Sequence, residues 1–204
     1  MKHSPELDGQ TLFVVGFFFE IGLVFVAAII AGLVEGQPFP FFVRYDVDGF
    51  LWGLTATLPL IVAAFLLTST LGRRLAFAER IYRHVKSIMG NGIRGLRTEE
   101  IILLAAAAGV GEEVLFRGVL QEYLTIWPTS LLFGVLHALT PSYFILATLM
   151  SAYLGWLQNE TGNLLVPILV HWLYDCVALL LLRRQLRRDF ASEESSLATD
   201  PGPP

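Results

Sequence analysis

The feature that most constrains this chain is a series of long apolar runs separated by short polar segments. The first run, 11–34, carries a single charge, Glu20. A helix needs about 20 apolar residues to cross the roughly 30 Å hydrocarbon core of a bilayer. Over the whole chain 54% of residues are hydrophobic and only 16% are charged, which is unusual for a water-soluble domain. The sequence therefore predicts an all-α, polytopic membrane helix bundle.

About six membrane spans follow from these runs. They are predicted at 11–34, 49–71, 99–124, 128–139, 141–157 and 164–182. The fourth is short for a full crossing and would require tilt or a thinned bilayer. Thr98 is the expected N-cap of the third.

A basic segment, 72–97, lies between the second and third spans. Part of it is predicted to form a helix on the membrane surface, broken near its glycines at 90–95. The residues expected to face the apolar side of that surface are Leu75, Phe77, Ile81 and Tyr82.

Two basic clusters, 73–97 and 183–188, predict the orientation of the chain. The positive-inside rule places both on the cytoplasmic side. This requires an even number of crossings between them, in agreement with the four predicted spans, and both termini are then cytoplasmic. Because these clusters flank apolar spans, no nucleic-acid partner is predicted.

Three regions follow from this organisation. Residues 1–98 hold two membrane helices and the basic cytoplasmic segment, and 99–182 hold a core of four membrane helices. Residues 183–204 form a basic stop and a tail rich in Ser, Glu and Pro, which is predicted to be disordered.

The third span carries charged residues whose spacing separates their roles. An ionisable group at the bilayer centre costs about 2.5–3.5 kcal/mol on insertion scales, so it usually faces a protein interior. Glu113 and Arg117 are four residues apart and are expected to pair on one helix face. Glu112 is rotated by about 100° and has no partner on its own helix, which leaves it available as a general base. Glu20 either lines the same cavity or pairs with Arg117.

Two further spans contribute histidines. His137 lies one turn after Phe133, whose ring is expected to wall one side of the imidazole. His171 and Asp175 are four residues apart and share a helix face. Such a pair can orient an imidazole or bind a metal, and a purely structural hydrogen bond is the alternative reading.

Together these carboxylates and imidazoles form a set that can activate water. They would act by general-base catalysis or by binding a divalent metal such as zinc, with Glu112, His137, His171 and Asp175 as ligands. No Ser or Cys is placed with a base as a nucleophile, so hydrolysis by activated water is the simplest reaction. The alternatives are a proton-coupled transporter and an immunity or binding protein without turnover.

Three short motifs carry a resemblance to a known family. They are Glu112-Glu113-x-x-x-Arg117, Phe133-x-x-x-His137 and His171-x-x-x-Asp175. Their residue types, spacing and order resemble those of the CAAX protease and bacteriocin-processing family. Members of that family are intramembrane endopeptidases related to type II CAAX prenyl endopeptidases. The resemblance covers roughly 99–182 and includes Gly162-Asn163-Leu164 before the final histidine.

The resemblance implies roles for these residues. Glu112 and His137 would activate the attacking water, and Glu113 would support the site through Arg117. The implied substrate is a membrane-embedded or membrane-associated peptide or protein. The short chain is more similar to bacterial members, which implies a multi-pass protein of the bacterial inner membrane.

The last position of the third motif departs from the family pattern. By resemblance, His171 and the residue at 175 would stabilise the oxyanion, and many relatives have Asn there. An ionised Asp accepts hydrogen bonds but donates none, so it would repel an oxyanion. Asp175 is therefore protonated, or orients His171, or helps to bind a metal.

Overall fold

A computed structural model describes residues 8–36, 43–69 and 71–199. Over these ranges the chain forms eight α-helices and no strand, which confirms the predicted all-α membrane helix bundle. The helices are α1 (Gly9–Glu35), α2 (Val47–Thr68), α3 (Ala76–Gly95), α4 (Thr98–Leu115), α5 (Gln121–Leu124), α6 (Ile126–Leu136), α7 (Pro141–Thr161) and α8 (Leu165–Thr199). A 3₁₀ turn at Gly72–Arg74 precedes α3, and a π-helical segment at Phe116–Leu120 joins α4 to α5.

Three helices in the described ranges are long and apolar enough to cross a membrane. They cover Gly9–Val34, Val47–Thr68 and Leu165–Ser195. Large apolar side chains such as Phe18 and Phe65 are exposed on α1 and α2, as expected for helices that face lipid. With 11 residues, α6 is too short to cross alone. The count of six spans stays a prediction.

Polar side chains define where several of these helices begin. Asp8, Asp46 and Thr140 each accept a hydrogen bond from a first-turn N–H of α1, α2 and α7, at 2.6–3.0 Å. Each satisfies one of the N–H groups that a helix start leaves without an intrahelical partner. At its other end α7 stops at Gly162, whose φ of 54° lies in the left-handed region that favours glycine.

The predicted N-cap of the third span was one residue too late. Thr98 lies inside α4, and the cap position is Arg97, whose backbone N–H donates to Glu100 Oε2 at 2.8 Å. The Thr98 hydroxyl instead accepts from Arg183 at 3.0 Å and so connects α4 to α8.

The glycines of the basic segment do not break its helix, contrary to the prediction. In α3 they permit close packing instead: the ring of Phe190 on α8 would lie 3.4 Å from a Cβ placed on Gly90. The backbones of Gly95 and Gly9 are closer still, and a Cβ on Gly9 would lie 2.7 Å from the Gly95 carbonyl carbon. On the face predicted to be apolar, Tyr82 is buried within the protein and Leu75 is exposed.

The C-terminal segment 192–199 is helical rather than disordered. The helix of the last span does not end near 182, and α8 continues to Thr199 because the 3₁₀ turn before α3 and α3 itself supply basic partners along its extension. Arg73 lies 3.1 Å from Asp189, and Lys86 lies 2.6 Å from Glu193. The remainder of the predicted tail, 200–204, lies outside the described residues.

Small residues place α4 at the centre of the bundle, between α1 and α8. The Gly111 Cα meets the backbone of Glu20 on α1 so closely that no side chain fits between them. On another face of α4, a Cβ on Gly109 would lie 3.0 Å from the Trp172 nitrogen of α8. Glycine at such positions lets helix backbones approach within the membrane, where apolar burial alone does not drive association.

Gly111→Ala should destabilise the protein because the added methyl group collides with the backbone of α1. Overpacking of this kind costs about 1–3 kcal/mol. We expect a lower thermal unfolding midpoint of the purified protein in detergent micelles. The control is Gly22→Ala on α1, where a Cβ would have no neighbour within 4 Å. Equal midpoints for the two variants would contradict this packing.

Candidate active site

Ionisable side chains from all three sequence motifs meet beside α4. Glu112 Oε1 lies 3.4 Å from His137 Nε2, and Glu112 Oε2 lies 3.7 Å from His171 Nε2. His171 Nε2 also lies 3.4 Å from Asp175 Oδ2. Residues of α4, the C-terminal end of α6 and α8 thus converge on one carboxylate, Glu112.

A second carboxylate, Glu113 on α4, lies next to this cluster and connects α4 to α8. Its Oε1 accepts from Arg117 at 3.0 Å and lies 2.7 Å from His171 Nδ1. The side chains of Glu113 and Arg117 are fully buried. An ionised carboxylate only accepts hydrogen bonds, so His171 carries a hydrogen on Nδ1 and directs Nε2 toward Glu112. The pair with Arg117 has the predicted spacing, whereas the contact with His171 was not predicted.

Arg117 extends the same network to α7. Its Nη2 donates to the Ser151 carbonyl at 2.8 Å and to the Ser151 hydroxyl at 2.9 Å. Arg117 lies in the π-helical segment, a type of local distortion that is frequent at functional sites. Sequence reasoning missed Ser151, since a lone serine in an apolar run does not indicate which helix it faces.

His137 is oriented by the turn of α6 that precedes it. Its Nδ1 lies 2.9 Å from the Phe133 carbonyl oxygen, which can only accept, so Nδ1 carries a hydrogen. The imidazole stacks on the Phe133 ring with a centroid distance of 4.2 Å and an interplanar angle of 15°. Nε2 of His137 is therefore the atom presented to Glu112.

These orientations leave acceptors facing one another. When both imidazoles are neutral, the Nε2 atoms of His137 and His171 point lone pairs toward the oxygens of Glu112. Three acceptor groups cannot satisfy each other, and buried polar groups need hydrogen-bond partners. A water molecule that donates to Glu112 and His137, or a shared proton, satisfies this arrangement.

Glu20 on α1 faces the same cluster. Its carboxylate lies within electrostatic reach of Glu112, His171 and Asp175. Its Oε2 is buried and has no hydrogen-bond partner among the residues that the structure describes. The alternative of a pair with Arg117 is not formed, because the hydrogen bonds of that guanidinium go to Glu113 and Ser151.

A cavity of about 320 Å³ opens from this cluster. Its polar end is lined by the cluster itself and by two tyrosines, Tyr143 and Tyr174, that sequence reasoning did not single out. Away from the cluster it is walled by apolar residues of α3 and α8, among them Ile81, Met89, Leu179 and Leu182. An apolar cavity with a few convergent polar groups is typical of a binding or catalytic site.

The predicted metal ligands do not fit a preformed metal site. Among residues 8–36, 43–69 and 71–199, no group of three or more His, Cys, Asp or Glu side chains is arranged to hold a metal ion. One ring nitrogen of His171 already lies at Glu113, and the other faces two carboxylates, Glu112 and Asp175. Binding by a divalent metal such as zinc stays a prediction.

Comparison with known proteins identifies the segment that carries the cluster. Residues 97–177 match the family described as type II CAAX prenyl endopeptidase Rce1-like, and every predicted site residue lies within them. The uncharacterized protein YpbD of Bacillus subtilis (strain 168) is 41% identical over 93 residues, which cover 44% of this chain and 49% of YpbD. The chain thus spans about half the length of that relative. No solved structure matches it.

Arg117→Gln should destabilise the bundle strongly, since it leaves the Glu113 carboxylate buried without its cation. Removing one partner of a buried ion pair costs roughly 3–5 kcal/mol. We expect a large fall in the thermal unfolding midpoint, measured in detergent micelles. Arg184→Gln, at an exposed position of α8, is the control and should leave the midpoint unchanged. A midpoint of Arg117→Gln that equals the wild-type value would contradict the role of this pair.

Proposed function

We propose that the chain is an intramembrane endopeptidase, because residues 97–177 match the family described as type II CAAX prenyl endopeptidase Rce1-like. It hydrolyses a peptide bond of a membrane-associated or lipidated protein. The observation that carries the proposal is the convergence of His137 Nε2 and His171 Nε2 on the Glu112 carboxylate. This convergence lies at the polar end of a cavity within a membrane helix bundle.

The first chemical step uses the space between Glu112 and His137. A water molecule donates one hydrogen bond to the Glu112 carboxylate and the other to His137 Nε2. Glu112 takes a proton as the water oxygen bonds to the carbonyl carbon of the substrate, and the carbonyl π electrons move to its oxygen. Proton transfer by a positioned side chain contributes about 10²–10⁴-fold to the rate of such a reaction.

The second step requires donors to the oxyanion. His171, held through Nδ1 by Glu113, donates from Nε2 in its doubly protonated form. Asp175 contacts that same nitrogen at 3.4 Å and orients the ring, and it donates only as the neutral acid. The tetrahedral intermediate then collapses: the C–N bond breaks, and the proton held by Glu112 passes to the leaving nitrogen.

The surroundings of the site favour a membrane-associated substrate. Walls from α3 and α8 make most of the cavity apolar. A peptide that carries an apolar side chain or a lipid can bury it there while its backbone reaches Glu112.

The contacts between the two basic segments support the proposed topology. Arg73 and Lys86, of the segment that carries α3, pair with Asp189 and Glu193 of the α8 extension. These contacts support a topology with both clusters on one side of the membrane. The positive-inside rule makes that side cytoplasmic, and we propose the bacterial inner membrane as the location.

Glu112→Gln and His137→Ala should each abolish peptidase activity, because the attacking water loses its base or its second acceptor. We expect a fall of about 10²-fold or more, followed with a lipidated fluorogenic reporter peptide in proteoliposomes. Glu122→Gln, at an exposed carboxylate of α5, is the matched control and should keep wild-type activity.

Wild-type rates in both site variants would contradict the proposed mechanism. A proton flux into the same proteoliposomes that Glu112→Gln abolishes, with no peptide cleavage by the wild type, would assign the chain to the transporters instead.

Asp175→Asn should keep or raise the cleavage rate, because an amide can donate to the oxyanion without repelling it. An oxyanion-hole donor contributes about 10²–10³-fold to kcat. Elemental analysis of the purified wild type and of Asp175→Asn should show the same metal content. A stoichiometric metal that Asp175→Asn loses together with activity would instead make Asp175 a metal ligand.

A further inference from the structure

A groove with unneutralised positive charge lies on another part of the surface, between α3 and the start of α7. It is an open space of about 430 Å³. One stripe of α3 lines it with Arg80, Arg83, His84 and Ser87. The opposite wall is 140–142, the start of the 21-residue helix α7. The N-terminus of a helix carries a partial positive charge of its own.

Few carboxylates neutralise the guanidinium groups of this groove. Arg80 donates from Nε to the Ala76 carbonyl at 3.1 Å, and no carboxylate of the described ranges forms an ion pair with it. Arg83 has Glu79 at 3.4 Å, but Glu79 also pairs with Arg73 at 3.1 Å. Two arginines beside the positive end of a helix repel one another and that helix end unless an anion binds between them.

Ser142 presents two hydrogen-bond donors to the groove, its hydroxyl and its backbone N–H. Its side chain lines the groove, only 6% of the residue is exposed, and its hydroxyl has no partner in the part of the chain that the structure describes. The Thr140 hydroxyl caps the N–H of Tyr143, and Pro141 has no N–H. The N–H of Ser142 is therefore the first-turn donor left to face the groove, next to its own hydroxyl.

We propose that this groove binds the phosphate group of an anionic phospholipid. The guanidinium groups of Arg80 and Arg83 supply charge, and the hydroxyl and N–H of Ser142 supply hydrogen bonds at the helix start. A phosphate group matches this set of donors because its oxygens accept from several directions.

Exposed apolar residues in and next to the two helices that form the groove favour a lipid over free phosphate as the source of that group. Leu75 just before α3, Ile88 on α3 and Leu139 just before α7 expose large apolar side chains. A basic helix with exposed apolar residues is typical of the headgroup depth of a membrane, where acyl chains contact the apolar side chains. Inorganic phosphate would leave those side chains without a partner. The inference does not depend on the proposed peptidase activity.

The test is a titration of the full chain in neutral detergent micelles, read as the thermal unfolding midpoint. The probes are short-chain phosphatidylglycerol, short-chain phosphatidylcholine and inorganic phosphate. We expect phosphatidylglycerol to raise the midpoint and phosphatidylcholine to leave it unchanged. Inorganic phosphate that matches phosphatidylglycerol at equal concentration would assign the groove to a free anion and overturn the lipid proposal.

Variants then locate the site. Arg80→Gln with Arg83→Gln should weaken the phosphatidylglycerol effect by at least about tenfold in concentration, and Ser142→Ala should weaken it without changing net charge. The control is Arg184→Gln with Arg188→Gln, which removes two exposed charges of α8 and should preserve the effect.

Circular dichroism verifies that all variants are folded, as expected for exposed arginines and a conservative serine change. A phosphatidylglycerol effect that persists in Arg80→Gln with Arg83→Gln, or that the control loses equally, would overturn the proposed site.

Discussion

The hydrogen-bonded chain from His171 through Glu113 to Arg117 is the interaction on which the site depends. One oxygen of Glu113 accepts from both neighbours, at 2.7 and 3.0 Å, in a fully buried position. It neutralises a guanidinium that would be costly within the bundle, and it directs the imidazole toward Glu112. Because Arg117 also binds Ser151, this single carboxylate couples α4, α7 and α8.

These hydrogen bonds of Glu113 also explain why the two adjacent glutamates, Glu112 and Glu113, differ in their chemistry. Glu113 accepts hydrogen bonds from the Arg117 guanidinium and the His171 imidazole, and these contacts hold the helices together. Glu112 has no cation comparable to Arg117 and faces the Nε2 atoms of His137 and His171, which direct lone pairs toward it when the imidazoles are neutral. The difference arises from a rotation of about 100° between successive residues of one helix.

Contacts within one helix could be predicted from the sequence, and contacts between helices could not. The spacing of four residues anticipated Glu113 beside Arg117, and Asp175 close to His171. The contact of His171 with Glu113, and that of Arg117 with Ser151, depend on how α4, α7 and α8 pack, and residue spacing does not report that packing. Residue spacing also left two alternatives for Glu20, and the pair with Arg117 is not formed, since Glu20 lies on α1 beside Gly111.

Two places where the fold differs from the sequence prediction have a common physical origin. Glycines in a basic segment were expected to break a helix, yet Gly90 and Gly95 allow α3 to lie close to α8 and α1. A tail rich in Ser and Glu was expected to be disordered, yet its residues up to Thr199 continue α8, because Lys86 and Arg94 pair with Glu193 and Glu194. In both cases a neighbouring helix outweighed local composition.

Because α8 is one unbroken helix, it fixes the distance between residues along its length. His171 and Arg183 lie on one helix, 12 positions apart, which at 1.5 Å per residue is about 18 Å. Arg183 is tied to the Leu96 carbonyl at 2.8 Å, next to the start of α4. The distance between Arg183, at the charged end of the bundle, and His171 is therefore set by one continuous helix. For the proposed endopeptidase, a substrate segment held at the Arg183 end would therefore need to span about 18 Å to reach His171.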